Sequence, residues 1–395
     1  MMEMNQKELD ITQLPINTLM CFSHLRWDFV YQRPQHLMSR LSKRFQVYYI
    51  EEPIFHAGKD TYVVKDTEDG VLVVTPLLNN KDTEISSVVF RQKLVISNLF
   101  SQRKIEKFIA WYYTPMALKI SSHLKPALVV YDCMDELSAF KFAPAELKLI
   151  EAELLRKADV VFTGGHSLYQ AKKNLHDNIF PFPSSIDKKH FQQARLKLPQ
   201  PVDQAGITGI RFGFYGVIDE RFNIQLINEV AAKRADWQFV LVGPIVKINP
   251  DDLPRRNNIH YLGGKSYSEL PAYLAGWDVA MIPFEKNEST RFISPTKTPE
   301  YLAGGKPVIS ASIADVVTPY GDLGLVFIAD NADEFIQCAE DQLTKTDRQY
   351  NNWLQKVDSF LQHVSWDTCV DDMMDHITAA LNKTKNTSRT FKSVA

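Results

Sequence analysis

Ser294-Pro295-Thr296-Lys297-Thr298-Pro299-Glu300-Tyr301-Leu302-Ala303-Gly304-Gly305-Lys306-Pro307-Val308-Ile309 reads as a polar loop, a short helix closed by two glycines, and a buried strand. That order suits a nucleotide diphosphate. Ser or Thr can cap the helix, Pro295 or Pro299 fits its first turn, and the free N–H groups there face an anion. Lys297 adds a point charge for phosphate. Glu300, three residues on and so on the same helical face, offers two acceptor oxygens to a ribose diol. An ordinary capped helix with one surface ion pair has the same look, so the rest of the chain must decide.

Outward from this stretch, short apolar runs alternate with helical patterns. Strands are predicted over 19–23, 47–50, 71–75, 128–131, 160–163 and 179–182, with helices over 35–43, 144–156 and 167–174. The pattern then restarts, with strands over 211–215, 238–242, 259–262, 279–282, 307–310 and 325–328. Its helices are predicted over 224–234, 267–275, 298–303, 332–343 and 347–361. Such alternation predicts an α/β fold of two doubly wound, Rossmann-like domains, with ligands beyond the carboxyl ends of the strands and a cleft between the domains. Pro183, Pro199 and Pro201 mark the break. The expected division is 1–183, a linker 184–208, a second domain 209–365, and 366–395 as a helix returning to the first domain (368–381) followed by a basic, frayed tail.

Bulk properties exclude several classes. The 395 residues are 45% hydrophobic and 23% charged, as in a globular protein, and a net charge of −2 gives no argument for nucleic acid. Cys21, Cys133, Cys338 and Cys369 show no CxxC or His-paired spacing, which disfavours zinc and disulfides and suits a reducing cytoplasm. Residues 1–14 are polar and acidic without an apolar signal core, and no apolar run reaches the ~18 residues of a membrane span. GxSxG, HExxH, Walker A and a GxGxxG after the first strand are all missing, so hydrolase, metalloprotease, P-loop kinase and dehydrogenase readings lack their residues.

Five further stretches carry candidate chemistry or contacts. Val129-Val130-Tyr131-Asp132-Cys133-Met134-Asp135-Glu136 is a buried strand running into three carboxylates. Asp135 is the expected general base, with Asp132 positioning the loop or binding acceptor hydroxyls; a turn-capping role for Asp132 is the plainer alternative. In Gly213-Phe214-Tyr215-Gly216-Val217-Ile218-Asp219-Glu220-Arg221, backbone can approach phosphate at Gly216 and Arg221 can clamp it, or Arg221 pairs with Asp219 or Glu220. Gly263-Gly264-Lys265 can lie against a flat base such as uracil, or form a plain turn. Trp27, Arg33 and His36, in the aromatic stretch after the first strand, are expected at the acceptor or sugar; the alternative is that the aromatics of this stretch are core. Residues 91–125 carry seven Lys or Arg (Arg91, Lys93, Arg103, Lys104, Lys107, Lys119, Lys125) against Glu106, interleaved with aromatics. Such a stretch can hold a protein on anionic lipid, or be a solvated helix face.

Taken together, the chain resembles a GT-B glycosyltransferase of group 1. Glu300-Tyr301-Leu302-Ala303-Gly304-Gly305-Lys306-Pro307-Val308-Ile309 is similar to the E-A-x-A-x-G-x-P-V-[IV] segment of that family. Tyr261-Leu262-Gly263, Trp277-Asp278-Val279, Pro183-Ser184-Ser185-Ile186-Asp187 with Phe191, and Ser365-Trp366 resemble its other elements. The resemblance implies that Glu300 binds the donor ribose, while Lys297, Thr296 and Arg221 hold the diphosphate. The first Glu of the family's pair falls at Phe292 and its usual Arg at Val217. The 294–297 loop and residues 132–138 look more like xanthan-type glucuronosyltransferases, whose Asp at the position of Asp135 is the base of an inverting reaction. Retention, the commoner group 1 outcome, stays open beside it.

The expected function is therefore transfer of a sugar from a nucleotide-diphospho-sugar, UDP-linked, to a hydroxyl of a glycan or lipid-linked saccharide. No cofactor or metal is expected beyond that co-substrate, since no DxD-like carboxylate pair stands out. The expected setting is bacterial surface-polysaccharide assembly, in the cytoplasm or peripherally at the inner face of the membrane. A nucleotide-sugar 2-epimerase and a non-catalytic scaffold of the same architecture are the competing readings.

Overall fold

The computed structural model describes residues 16–392, with side chains as far as residue 383; the polar segment 1–14 lies outside the described residues. Two sheets form the frame. The first holds β1 (Thr18–Phe22), β2 (Gln46–Ile50), β3 (Ile54–His56), β4 (Thr61–Asp66), β5 (Val71–Asn79), β6 (Ile109–Tyr112), β7 (Leu128–Cys133), β8 (Val160–Thr163) and β9 (Ile179–Pro181). Their spatial order is β3-β5-β2-β1-β6-β7-β8-β9, parallel throughout, with β4 antiparallel on β5. The second comprises β10 (Ile210–Tyr215), β11 (Trp237–Val242), β12 (Ile259–Gly263), β13 (Val279–Ile282), β14 (Val308–Ser310) and β15 (Phe327–Ile328), all parallel in the order β12-β11-β10-β13-β14-β15. Each sheet starts in its middle and reverses direction, between β1 and β6 and between β10 and β13, which opens a crevice at the carboxyl ends of those strands.

Parallel strands covered on both faces must be apolar throughout, which is why they read as runs. In β1, Leu19 and Cys21 enter one core while Met20 and Phe22 enter the other, as alternate side chains must. The first of these cores is closed from the far end of the chain. The helix Trp366–Lys392 lays Trp366, Val370, Met373, Met374, Ile377 and Leu381 on it, a helical stripe of about four turns. This helix begins two residues before the predicted start, with Ser365 Oγ accepting from Thr368 N at 3.0 Å, and its backbone stays helical as far as Lys392, into the segment expected to fray.

Two expectations need correction. Residues 184–208 are not a bare connection: Ile186, Phe191 and Ala194 are buried in the core of the second sheet, and Asp187 caps the helix Lys188–Gln192. The basic stretch 91–125 is not one amphipathic surface either. It divides into the end of a helix (Ile85–Arg103) and the central strand β6, so Phe108, Trp111, Tyr112 and Tyr113 are core residues. Arg91 is spent on Asp60 at 2.7 Å, and Lys119 on Glu146. Among the described residues no helix is long and apolar enough to cross a membrane.

Candidate active site

Where the two sets of strand ends face each other, a cavity of about 450 Å³ opens between the lobes. The first lobe contributes the loop after β1 (Asp28 to Arg33) and Met134-Asp135 after β7. The second contributes Tyr215 to Val217 after β10, Gly264 to Tyr267 after β12, and Ile293 to Lys297 with Glu300. Contacts between the lobes frame it: Ser184 Oγ donates to Ser294 O at 2.5 Å, Ser167 N to Asp315 Oδ1 at 2.8 Å, and the rings of Tyr31 and Tyr267 stack at 4.5 Å.

The three acids after β7 have separate fates. Asp132 is fully buried and does not reach the cavity; Arg33 grips it through Nε at 3.1 Å and Nη2 at 2.8 Å, while Nη1 donates to Phe182 O at 2.7 Å. Glu136 is bound to Lys172 at 2.8 Å. Asp135, between them, lines the cavity, and its carboxylate makes no hydrogen bond or ion pair among the described residues. Burial pushes it up to about 6, against the pull of the Arg221, Arg33 and Lys297 charges.

Across the cavity lie the cations. Arg221 is bidentate to Asp219 (2.9 and 2.7 Å) and still borders the cavity, so the ion-pair and cavity readings both describe it. Lys297 sits beside the rings of Phe214 and Phe284, its centroid distances 5.5 and 5.8 Å, and makes no ion pair among the described residues. Burial holds its pKa below the ordinary lysine range, with Arg221 adding to the effect. Gly216 explains how the lysine fits: at φ +132° a Cβ there would stand 2.3 Å from Lys297 Cε. Thr296 is the N-cap residue of the helix Lys297–Ala303, makes no capping bond with its side chain, and faces the cavity. Glu300 is 5% exposed, accepts from Tyr215 Oη at 2.8 Å, and is pushed above the usual carboxylate range by burial.

Asp135, Gly216, Arg221, Thr296, Lys297 and Glu300 therefore meet around one cavity. Gly263 stands just outside, accepting from Gly243 N at 2.8 Å with φ +70°, and Gly264 lines the wall instead. The expected acceptor residues need correction. Trp27 is 7% exposed and packs edge-on against Tyr49, and His36 is stacked beneath Trp366 at 4.8 Å; neither reaches the cavity. Arg33 borders it, but its donors are committed to Asp132 and Phe182. The cavity wall from that loop is Asp28, Phe29, Val30, Tyr31 and Gln32. Tyr215 and Tyr267 escaped the sequence reading; their only signal was an aromatic just at, or shortly after, the carboxyl end of a predicted strand.

The comparisons with known proteins agree with this frame. Residues 211–345 match the family model described as glycosyl transferases group 1. TuaH of Bacillus subtilis (strain 168), a protein named for a teichuronic acid biosynthesis glycosyltransferase, is 26% identical over 249 residues, 57% of this chain. The chain spans 62% of that relative's length. Among solved structures, an E. coli trehalose-6-phosphate protein bound with UDP-2-fluoro glucose superposes with a TM-score of 0.65 at 10% identity, over 92% of this chain and 99% of that one. Sucrose-phosphate synthase from Thermosynechococcus elongatus gives 0.63 at 13%, over 96% and 100%. The starch synthase IV catalytic domain of Arabidopsis thaliana, bound to ADP and acarbose, gives 0.63 at 10%, over 93% and 100%. These likenesses establish the two-lobed fold over more than nine-tenths of the chain, and its second lobe matches the model of the group 1 glycosyl transferases.

Proposed function

We propose that the protein transfers a sugar from a UDP-sugar to a hydroxyl of a glycan or lipid-linked saccharide during assembly of a bacterial surface polysaccharide. The observation that carries this reading is the placement of Asp135, the unpaired acid after β7, opposite Lys297 and Arg221 in one cavity. A base must face the incoming hydroxyl, and cations must face the departing diphosphate. Lys297 and Arg221 meet that charge, with the Thr296 hydroxyl beside them. Glu300, steadied by Tyr215, has its second oxygen for the ribose diol. Attack by a hydroxyl deprotonated at Asp135, on the face of the sugar opposite the diphosphate, inverts the anomeric centre. The two lobes meet beside the cavity through Ser184–Ser294 and Ser167–Asp315, and closing further on bound substrates would exclude water and favour transfer over hydrolysis. The UDP and ADP complexes of the structural neighbours and the polysaccharide role in the name of TuaH support the substrate class.

Calorimetric titration of UDP, GDP and ADP tests the donor site. UDP is expected to bind selectively, and Lys297→Ala to weaken it about 10- to 100-fold, the ~1.5–3 kcal/mol of a charge-assisted hydrogen bond. No binding of any nucleotide removes the proposal. Its setting is the inner face of the membrane: Phe90 is 60% and Leu94 54% exposed on the helix Ile85–Arg103, followed by exposed Arg103, Lys104 and Lys107. The protein should sediment with phosphatidylglycerol vesicles at low salt and lose them on Phe90→Asp with Leu94→Asp; indifference to those changes overturns this placement.

A further inference from the structure

Asp135 sits on a loop whose two ends are tied down by cations, one at the cavity's border and one outside it. Its β7 end is held by Arg33 on Asp132. Its other end is held by Lys172, which is 4% exposed, does not line the cavity, and stands at the end of the helix His166–Lys172. Lys172 Nζ reaches Glu136 Oε2 and Glu151 Oε1, each at 2.8 Å. Glu151 also accepts from Tyr131 Oη at 2.7 Å, and Glu136 from Ser138 Oγ at 2.5 Å. So buried a lysine bound to two carboxylates is held in place by both, and either acid released from it would seek water. The other end of the same helix is bonded to the second lobe, where Ser167 N donates to Asp315. The helix is thus a short strut between the opposite lobe and the residue next to Asp135.

We infer that Lys172 is a positioning residue: by clamping Glu136 against Glu151, it holds the loop 133–138 so that the Asp135 carboxylate stays sheltered in the cavity and aimed at the acceptor hydroxyl. This rests on the reading of Asp135 as base. Without the clamp, Glu136 turns outward and draws its neighbour with it. Asp135 then becomes hydrated and loses the shelter that raises its proton affinity, leaving it a weaker base in the wrong place. The charged and titratable groups around the loop are Arg33 and Asp132, Cys133, Glu136, Tyr131 and Glu151, Lys172, and from the second lobe Asp219, Arg221 and Lys297.

The test needs no substrate. The Asp135 carboxyl is titrated by NMR in protein carrying aspartate labelled with carbon-13 at the side-chain carboxyl, the signal being assigned by its loss in Asp135→Asn. In wild type it is expected to titrate at about 6. In Lys172→Met it should fall towards the ordinary 3.8, and in Lys172→Arg it should stay near the wild-type value. UDP affinity, set by the second lobe, should remain within about twofold in both. Should Lys172→Met fail to fold, Glu136→Gln removes the loop's side of the clamp and leaves Lys172 paired with Glu151; the same downward shift is expected. An unchanged Asp135 titration in the folded variants overturns the inference, because a lysine that served only global stability would leave that value where it was. Full transfer activity in Asp135→Asn would instead sink the role of base and leave the titration result standing.

Discussion

Asp135→Asn is expected to lower sugar transfer about 10²- to 10⁴-fold, the usual contribution of a positioned general base, with UDP affinity nearly unchanged. The amide keeps the shape and removes the capacity to take a proton. The pH dependence follows from the sign of the shift. A base must be ionised to act, and burial moves this ionisation to about 6, so the wild-type rate falls as pH drops through that value and recovers just above it. In the Asn variant this acid limb should be gone. A second limb is expected on the alkaline side of kcat/KM, below the ordinary lysine range, because burial and Arg221 depress Lys297 in the free enzyme. In kcat that limb should move up, since a bound diphosphate stabilises the ammonium. An Asn variant that retained wild-type rate and the same acid limb would rule Asp135 out as base.

Arg33→Met should cost about 3–5 kcal/mol of stability, the penalty for leaving a buried charge without its partner. Asp132 is 0% exposed and receives three of its hydrogen bonds from that guanidinium. Methionine fills much of the volume and supplies none of the charge, and Phe182 O loses its donor as well. The double variant Arg33→Met with Asp132→Leu should recover part of the loss, because a well-packed apolar pair often replaces a buried ion pair at little net cost. Chemical denaturation of the two singles and the double measures this directly. A single variant within about 1 kcal/mol of wild type would mean that water reaches Asp132, contrary to its burial.

How much of this was legible follows from how far apart the partners lie. The parallel strands were readable because sheltering on both faces demands unbroken apolar runs, and 160–163 and 279–282 were placed to the residue. Strand β4 was missed, although its partner β5 was read in part as 71–75: β4 lies at the sheet edge with alternate residues exposed, so its pattern is too polar to stand out. Strand β6 was hidden because the apolar run 108–113, set among Lys104, Lys107 and Lys119, looks like the greasy side of a basic helix. Gly216 with Arg221 and Thr296 with Lys297 and Glu300 come from two short contiguous stretches, so local pattern was enough to group residues that line one cavity. The loop after β1 offered no such help. Whether Arg33 faces a sugar or the interior is decided by Asp132, 99 residues away, and whether His36 is surface or core is decided by Trp366.

The helix that returns to the first lobe has a consequence for how the protein is made. Residues 16–183 leave the ribosome with part of one sheet face, including Trp111 and Phe162, lacking the cover that Trp366 and Met373 will give the core beneath Leu37, Met38 and Leu41. The second lobe, whose core is drawn from 186–361 alone, can fold while that face still waits. The half of the molecule synthesised first is thus the last to be finished, and a chain truncated before Trp366 should engage chaperones or aggregate despite carrying every residue that lines the cavity.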